Sequence, residues 1–224
     1  MKVKPIIFNG PSVRAIMNGR KTQTRRVVKQ RVTGPNPPDT LDFYNKGNWA
    51  GACKADGRSG NALDLCPYGQ IGDLLWVREA HVLLPRTAYR MSIGTGTIAQ
   101  QEHPSDGYTA AVFREGFDRS GSPRWRPSIH MPRWASRLTL RVTGVRVERL
   151  QEISQRDAVA EGCGRPLADT GMDQPDAADE RTSFAILWNE INAKRGLSWQ
   201  INPWVWVIAF EPIHMNIDQV EDAA

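Results

Sequence analysis

Cysteine is scarce in this chain: three residues, Cys53, Cys66 and Cys163, among 224. So odd and sparse a set does not make a disulfide framework, and a reducing cytoplasm is the expected home. Long apolar runs are missing too. The longest, Trp204 to Phe210, has seven residues, where a membrane span needs about 20. No membrane partner is therefore expected. A secretory leader is not expected either, since the N-terminus turns polar within ten residues. There is no C-x-x-C, no H-E-x-x-H, no G-x-x-x-x-G-K-[ST], no G-x-S-x-G and no G-x-G-x-x-G after a strand. The four histidines are scattered. Neither a bound metal nor a cofactor is expected from these absences.

What is present is aromatic and unevenly charged. Eight Trp, six Phe and four Tyr need a core, so the chain is not a disordered one. The net charge of +5 is the sum of opposed regions. Residues 1–30 carry eight Lys or Arg and no acid, and residues 124–149 carry seven Arg against Glu148 alone. Residues 150–180 reverse the sign with eight acids against Arg156 and Arg165. Two basic segments distant in sequence can meet on one face and attract phosphate, or can decorate solvent-facing strands.

The hydrophobic pattern predicts short elements. Pro5 to Phe8 reads as a strand, and a helix follows from Pro11-Ser12, with Ser12 as its cap, to Asn18-Gly19. Lys21 to Val28 reads as extended. Leu74 to Val82 and Tyr108 to Phe113 read as strands, and Ser128 to Trp134 as a Pro-bounded loop. Arg137 to Leu150 alternates like a strand, with a slip of phase at Thr143-Gly144 that suggests a bulge or turn. Ser154 opens a helix that Gly162 ends. Thr182 to Lys194 places Phe184, Leu187, Trp188 and Ile191 on one helical face. Trp204 to Phe210 reads as a central strand carrying Trp204 and Trp206 into the core. The sum predicts an α+β fold with a mixed or antiparallel sheet, few helices and long insertions at about 31–70, 85–107 and 164–180. A single domain is expected over 1–212, followed by a flexible acidic tail over 213–224.

One segment stands out for chemistry: Gly19-Arg20-Lys21-Thr22-Gln23-Thr24-Arg25-Arg26. Alternation puts Thr22, Thr24 and Arg26 on one face of an extended chain and Lys21, Gln23 and Arg25 on the other, unless the turn just past Gly19 swings Lys21 round. A lysine close to a threonine hydroxyl can activate it, provided burial or like charge lowers the ammonium pKa, and Arg20, Arg25 and Arg26 supply like charge. The same eight residues also read as a solvated basic strand edge.

This segment resembles the G-x-K-x-x-x-R signature of the ASCH domain, in the PUA-like β-barrel superfamily. Further pieces resemble the same family in order: Gly72-Asp73-Leu74-Leu75-Trp76-Val77-Arg78-Glu79, then Ile153 to Gly162 with its Ala160-Glu161-Gly162 end, then Asn202 to Phe210. Trp125 to Arg137 resembles a subgroup found in phages and prophages. The resemblance covers roughly half the chain. It implies a PUA-like barrel with a few flanking helices and a partner that is a nucleoside or RNA. Small ASCH proteins of the N4-acetylcytidine amidohydrolase type use a lysine, a threonine three residues on and a glutamate from a later helix. By similarity these catalytic roles fall on Lys21, Thr24 and Glu161. Arg26, Trp76, Arg78, Glu79, His130, Arg133, Trp134 and Arg137 are the implied substrate-binding positions. For several of these a plainer role stands beside it: a loop hydrogen bond for His130, packing for Trp134, an internal salt bridge for Arg78. The implied activity is hydrolysis of an N4-acylated cytidine or related pyrimidine nucleoside, by a Lys-activated Thr or water with help from Glu. A non-catalytic RNA or modified-base binding module and a single-stranded RNA nuclease are the alternatives.

Overall fold

The computed structural model describes residues 1–28, 40–45, 48–54, 66–94, 98–163 and 179–222. In chain order it holds β1 (Val3–Ile7), α1 (Gly10–Met17), β2 (Gln23–Val27), β3 (Thr40–Asn45), β4 (Asn48–Lys54), β5 (Leu74–Arg78), β6 (His81–Pro85), β7 (Gln100–Glu102), β8 (Thr109–Phe113), β9 (Thr139–Arg149), α2 (Gln155–Ala160), α3 (Glu180–Asn192), β10 (Trp204–Ile213) and α4 (Ile217–Asp222). The fold is mixed α+β. A five-stranded sheet has the order β1-β5-β9-β10-β2, a three-stranded sheet the order β6-β8-β7, and β3 and β4 pair with each other. Among the described residues these strands do not close into a barrel. No described helix is long and apolar enough to cross a membrane.

The chain divides into two compact units. The first comprises Met1–Gly19, Asp73–Arg141 and Glu211–Ala224. In it β1 runs parallel to β5, with Val3 opposite Leu74 and Ile7 opposite Arg78. Its edge position tolerates Pro5, which cannot donate to a ladder. β5 then pairs antiparallel with the start of β9. The cap of α1 is Asn9, not Ser12: the Asn9 side chain accepts from the Ser12 N–H, and a proline follows within the first turn. The expected strand from Leu74 to Val82 is two strands in different sheets, β5 and β6, with Glu79-Ala80 between them.

Residues 85–107 are less loose than their composition suggests. β7 pairs with β8, and its Gln-Gln-Glu sequence carries no alternation, so backbone pairing to an apolar neighbour makes the strand. Residues 213–222 are not a frayed tail. α4 buries Ile217 and Val220 against Leu74 and Trp76. Asn216 caps it, accepting from the Asp218 N–H at 2.9 Å while its amide donates to the carbonyls of Arg133, Trp134 and Ser136.

The second unit comprises Arg20–Gly72 and Val142–Phe210. β10 pairs antiparallel with β2, placing Ile208 opposite Thr24 and Trp206 opposite Arg26. β9 runs as one strand through Thr143-Gly144. The insertion at 31–70 contains the β3–β4 hairpin, Leu41 opposite Cys53 and Phe43 opposite Gly51. Its β-favouring Leu, Phe, Tyr and Trp residues are hard to see in sequence among the surrounding Gly and Asn. The rest of that insertion over 31–39, 46–47 and 55–65, and most of the one at 164–180, lie outside the described residues. α2 starts at Ser154, whose side chain accepts from the Asp157 N–H. The core joins Leu150, Ile153, Ala158, Phe184, Trp188, Val205 and Val207. Of the face expected on α3, Phe184 and Trp188 are buried, Leu187 is half-buried and Ile191 is exposed. Trp204 and Trp206 are both buried as expected.

Truncating Phe184 to Ala is expected to destabilise the protein by about 3–5 kcal/mol, because packing and transfer energy are lost together. Urea unfolding checks it, and an equal loss from Ile191→Ala would refute this assignment of the buried face.

Candidate functional site

The second unit gathers charge inside itself. The chain enters from a turn at Gly19, where φ is 69°, a value that suits glycine. Thr22 then donates its N–H to the carbonyl of Ala160, and Lys21 bridges Glu161 in antiparallel sense. Glu161 caps the C-terminal end of α2, and Gly162 follows with φ of 87°. Helix ends leave carbonyls without an intrahelical partner. Lys21 supplies one: its Nζ donates to the Glu161 carbonyl at 2.8 Å and to Glu161 Oε2 at 2.5 Å. Both residues are buried, 3% and 5% exposed.

Arg25 closes the other side of the same carboxylate, its Nη1 lying 3.3 Å from Glu161 Oε1. It donates to Gln23 Oε1 at 2.8 Å, to Glu148 Oε1 at 2.9 and 2.5 Å, and to Asp157 Oδ2 at 3.3 Å. Arg146 donates to the other oxygen of Glu148, Oε2 at 2.9 Å, and shares Asp157 Oδ2 with Arg25, at 2.8 Å. The Arg25 guanidinium also lies 5.7 Å from the Phe184 ring centroid. Lys21, Arg25 and Arg146 thus face Glu148, Asp157 and Glu161. Burial of each ion is offset by a partner of opposite sign, which is the condition for leaving charge in a low-dielectric interior.

Burial lowers the Lys21 pKa from its ordinary value. The Glu161 carboxylate opposes that shift, and the Arg26 charge adds to it. Burial works against ionisation of Asp157, but Arg146 and Arg25 outweigh it and hold the carboxyl below its usual range. Burial, with the Glu161 charge, pushes the Cys163 thiol up to about 11, so this cysteine is a poor nucleophile at neutral pH.

Of the expected catalytic trio, Lys21 and Glu161 meet directly across 140 positions of sequence. Thr24 lies three residues on from Lys21, in β2, and faces Ile208 of β10 across the sheet. It is buried, and it lies between Gln23 and Arg25, which bond each other on the opposite face of β2. Arg26 is half-buried and acts on Lys21 through its charge.

The other expected positions lie in the first unit. Glu79 and Arg137 form a two-pronged ion pair at 2.8 and 2.9 Å, and Arg137 stacks 4.1 Å from the Phe113 centroid. Arg133 binds Asp218 and Glu221, which fastens α4. Trp76 packs against α4, Arg78 lies over its ring, and Arg78 also donates to the Ile129 carbonyl. Trp134 packs beside Ala111, Phe113, Met131 and Ala135, with its ring 4.6 Å from that of His103. His130 is exposed. These contacts give the arginines and tryptophans partners within the unit itself.

Arg25, Arg146, Glu148 and Asp157 do not stand out as site residues in the sequence. Their signals are slight: Arg25 shares the strand face of Gln23, and Glu148 is the lone acid in an arginine-rich stretch. No protein-family model matches the chain, and neither a curated protein nor a solved structure matches it significantly.

Two outcomes are expected from this geometry. Glu161→Ala strands Lys21 and part of Arg25 without a carboxylate and costs about 3–5 kcal/mol in urea unfolding. NMR titration of the Lys21 Nζ will give a midpoint below the ordinary 10.5, and Glu161→Gln will lower it further by removing the opposing charge. A midpoint at or above 10.5 in the wild type would contradict the buried setting.

Proposed function

We propose that this chain is an ASCH-type protein with a PUA-like core, and that it hydrolyses the exocyclic amide of an N4-acylated cytidine or a related modified pyrimidine nucleoside. The observation that carries the reading is the buried contact of 2.5 Å between Lys21 and Glu161. It unites two positions to which the family resemblance attaches acid–base roles, and burial moves the lysine toward the neutral form a general base needs.

Neutral Lys21 takes a proton from water while the water oxygen bonds to the amide carbonyl carbon. The tetrahedral adduct then expels the cytosine nitrogen, which receives a proton through Glu161 as the C–N bond breaks. One water is consumed, and the products are a carboxylate, the free exocyclic amine and one proton released to solvent. Strand alternation, which turns the Thr24 side chain away from the face of Gln23 and Arg25, favours water over the threonine oxygen as the attacking group. Arg25 is a positioning residue: it holds Glu161 from the side away from Lys21.

A second reading, a binding module for RNA or a modified base, is favoured by one observation. Lys21 and Glu161 are almost wholly buried and locked in a neutral ion network, which suits a rigid scaffold as well as a reacting pair.

Incubation with N4-acetylcytidine, followed by the change in ultraviolet absorption, tests both. Turnover is expected, lost by a factor of about 10²–10⁴ in Lys21→Ala and Glu161→Gln, with circular dichroism confirming that each variant is folded. Wild-type kcat/KM should rise with pH as Lys21 loses its proton. Thr24→Val should retain turnover within about tenfold, whereas a loss as large as that of Lys21→Ala would make Thr24 the nucleophile. No turnover, with salt-sensitive RNA binding, supports the module. RNA cleavage that survives Lys21→Ala would point to the nuclease and overturn the assignment of the pair.

A further inference from the structure

His81 opens β6 in the first unit, and none of the chemistry above uses it. It is 0% exposed. Its Nδ1 lies 3.2 Å from the Glu79 carbonyl oxygen. That oxygen can only accept, so Nδ1 carries a proton. Nε2 is buried and meets no hydrogen-bond partner among the described residues. In the neutral ring that atom holds a lone pair. In the charged ring it holds an N–H that nothing receives, together with a buried positive charge.

The charges that act on this ring are cations. Arg126 pairs with it along the backbone: the Arg126 N–H donates to the His81 carbonyl at 2.8 Å, and the His81 N–H to the Arg126 carbonyl at 3.3 Å. Arg78, at the end of β5, donates to the carbonyl of Ile129, the residue before His130. Arg126, Arg78 and His130 each disfavour a charge on His81. From β8, apolar Phe113 stands opposite His81, and exposed Arg114 follows it. Glu79 brings no relief, since both its oxygens accept from Arg137.

The same junction holds residues 126–131 in place. Its ties are the backbone pair at Arg126, the Arg78 bond to Ile129 and a bond from the Glu79 N–H to Met131 Sδ at 3.2 Å. Beyond this the anchor is a different one: Asn216 donates to the carbonyls of Arg133, Trp134 and Ser136. We infer that His81 is the latch of a pH-sensitive segment. The neutral imidazole lets Arg126 and Arg78 stay beside it, and its protonation drives 126–131 off the β5–β6 junction, as far as the Asn216 anchor. Opening lets water reach the imidazolium and uncovers Met131, which is 2% exposed when closed. The latch lies wholly in the first unit and stands whether or not the amide chemistry is found.

Burial holds the closed ring below its ordinary 6.5, opposed by the Glu79 carbonyl and aided by the three cations. The closed form is therefore at full stability above 6.5, where the open form also is neutral. As pH falls below that value the open form takes up the proton first, and opening rises by up to about tenfold per pH unit. Glu79 has the opposite sign. Burial raises its carboxyl against the pull of Arg137, so acid favours the closed form there. Opening in acid is thus the mark of His81.

Residue-resolved hydrogen exchange of the full chain at about pH 7.5 and about pH 5.5, corrected for the intrinsic pH dependence of amide exchange, tests it. The amides of Arg126, His130 and Met131 are expected to lose about tenfold in protection, while Ala135 and Ser136, behind the anchor, keep theirs. His81→Gln and His81→Phe should each abolish this dependence on pH, and His130→Gln should keep it. NMR titration of the His81 ring reads the same event in the unaltered protein, with a midpoint expected below 6.5; it decides the matter if neither His81 variant folds. Equal protection of 126–131 at both pH values refutes the latch, as does a midpoint at or above 6.5. Acid opening that survives in a folded His81 variant refutes it too. An equal loss at Ala135 and Ser136 would mean that the unit opens as a whole, and would overturn it as well.

Discussion

An ammonium group and a guanidinium group cannot be buried alone. Each must meet carboxylates within the protein, or the loss of hydration exceeds anything that packing returns. Lys21 and Arg25 are both buried, four residues apart on one segment, and the second unit is arranged around satisfying them. Glu161 comes from the end of α2, Asp157 from its first turn and Glu148 from β9, so one ion network ties β2 to a helix and to another strand. Arg146 then balances the carboxylates that Arg25 alone would leave in excess.

That arrangement also sets the reactivity of the groups involved. The same burial that lowers the Lys21 pKa raises the Cys163 thiol, because in each case it favours the uncharged form. One group is moved toward usefulness as a base and the other away from usefulness as a nucleophile. Thr24 alternates with Gln23 and Arg25 along β2, which is why the proposed chemistry runs through water.

In the first unit arginines serve two ends. Arg133 and Arg137 are committed to carboxylates and to an aromatic face, and they hold α4 and the segment after β8 in place. Arg86, Arg90 and Arg119 line an open cavity, where Arg86 faces Glu102 and Arg119 is paired with Asp118. Arginine density in the sequence does not separate these uses. Only the position of Asp218, Glu221 and Glu79 does.

Local signals determined a good part of this protein. The stop at Asn18-Gly19, the cap at Ser154, the turn at Gly162, the buried face of α3 at Phe184 and Trp188 and the apolar strand from Trp204 are each written in a few adjacent residues, because caps, φ-permissive glycines and amphipathic periods act within a turn or two. The Lys21 segment is conspicuous for the same reason, and the Ala160-Glu161-Gly162 end could be paired with it through the family resemblance. The rest depended on partners far away in sequence. That Arg25 would bind Glu148 and Asp157, that β7 would form against β8 without any alternation of its own, that 213–222 would fold onto Trp76, and that Arg126 would pair with His81 all depend on which segments the fold makes neighbours. A charge or a backbone edge in sequence shows its need for a partner; only tertiary structure chooses which one meets it.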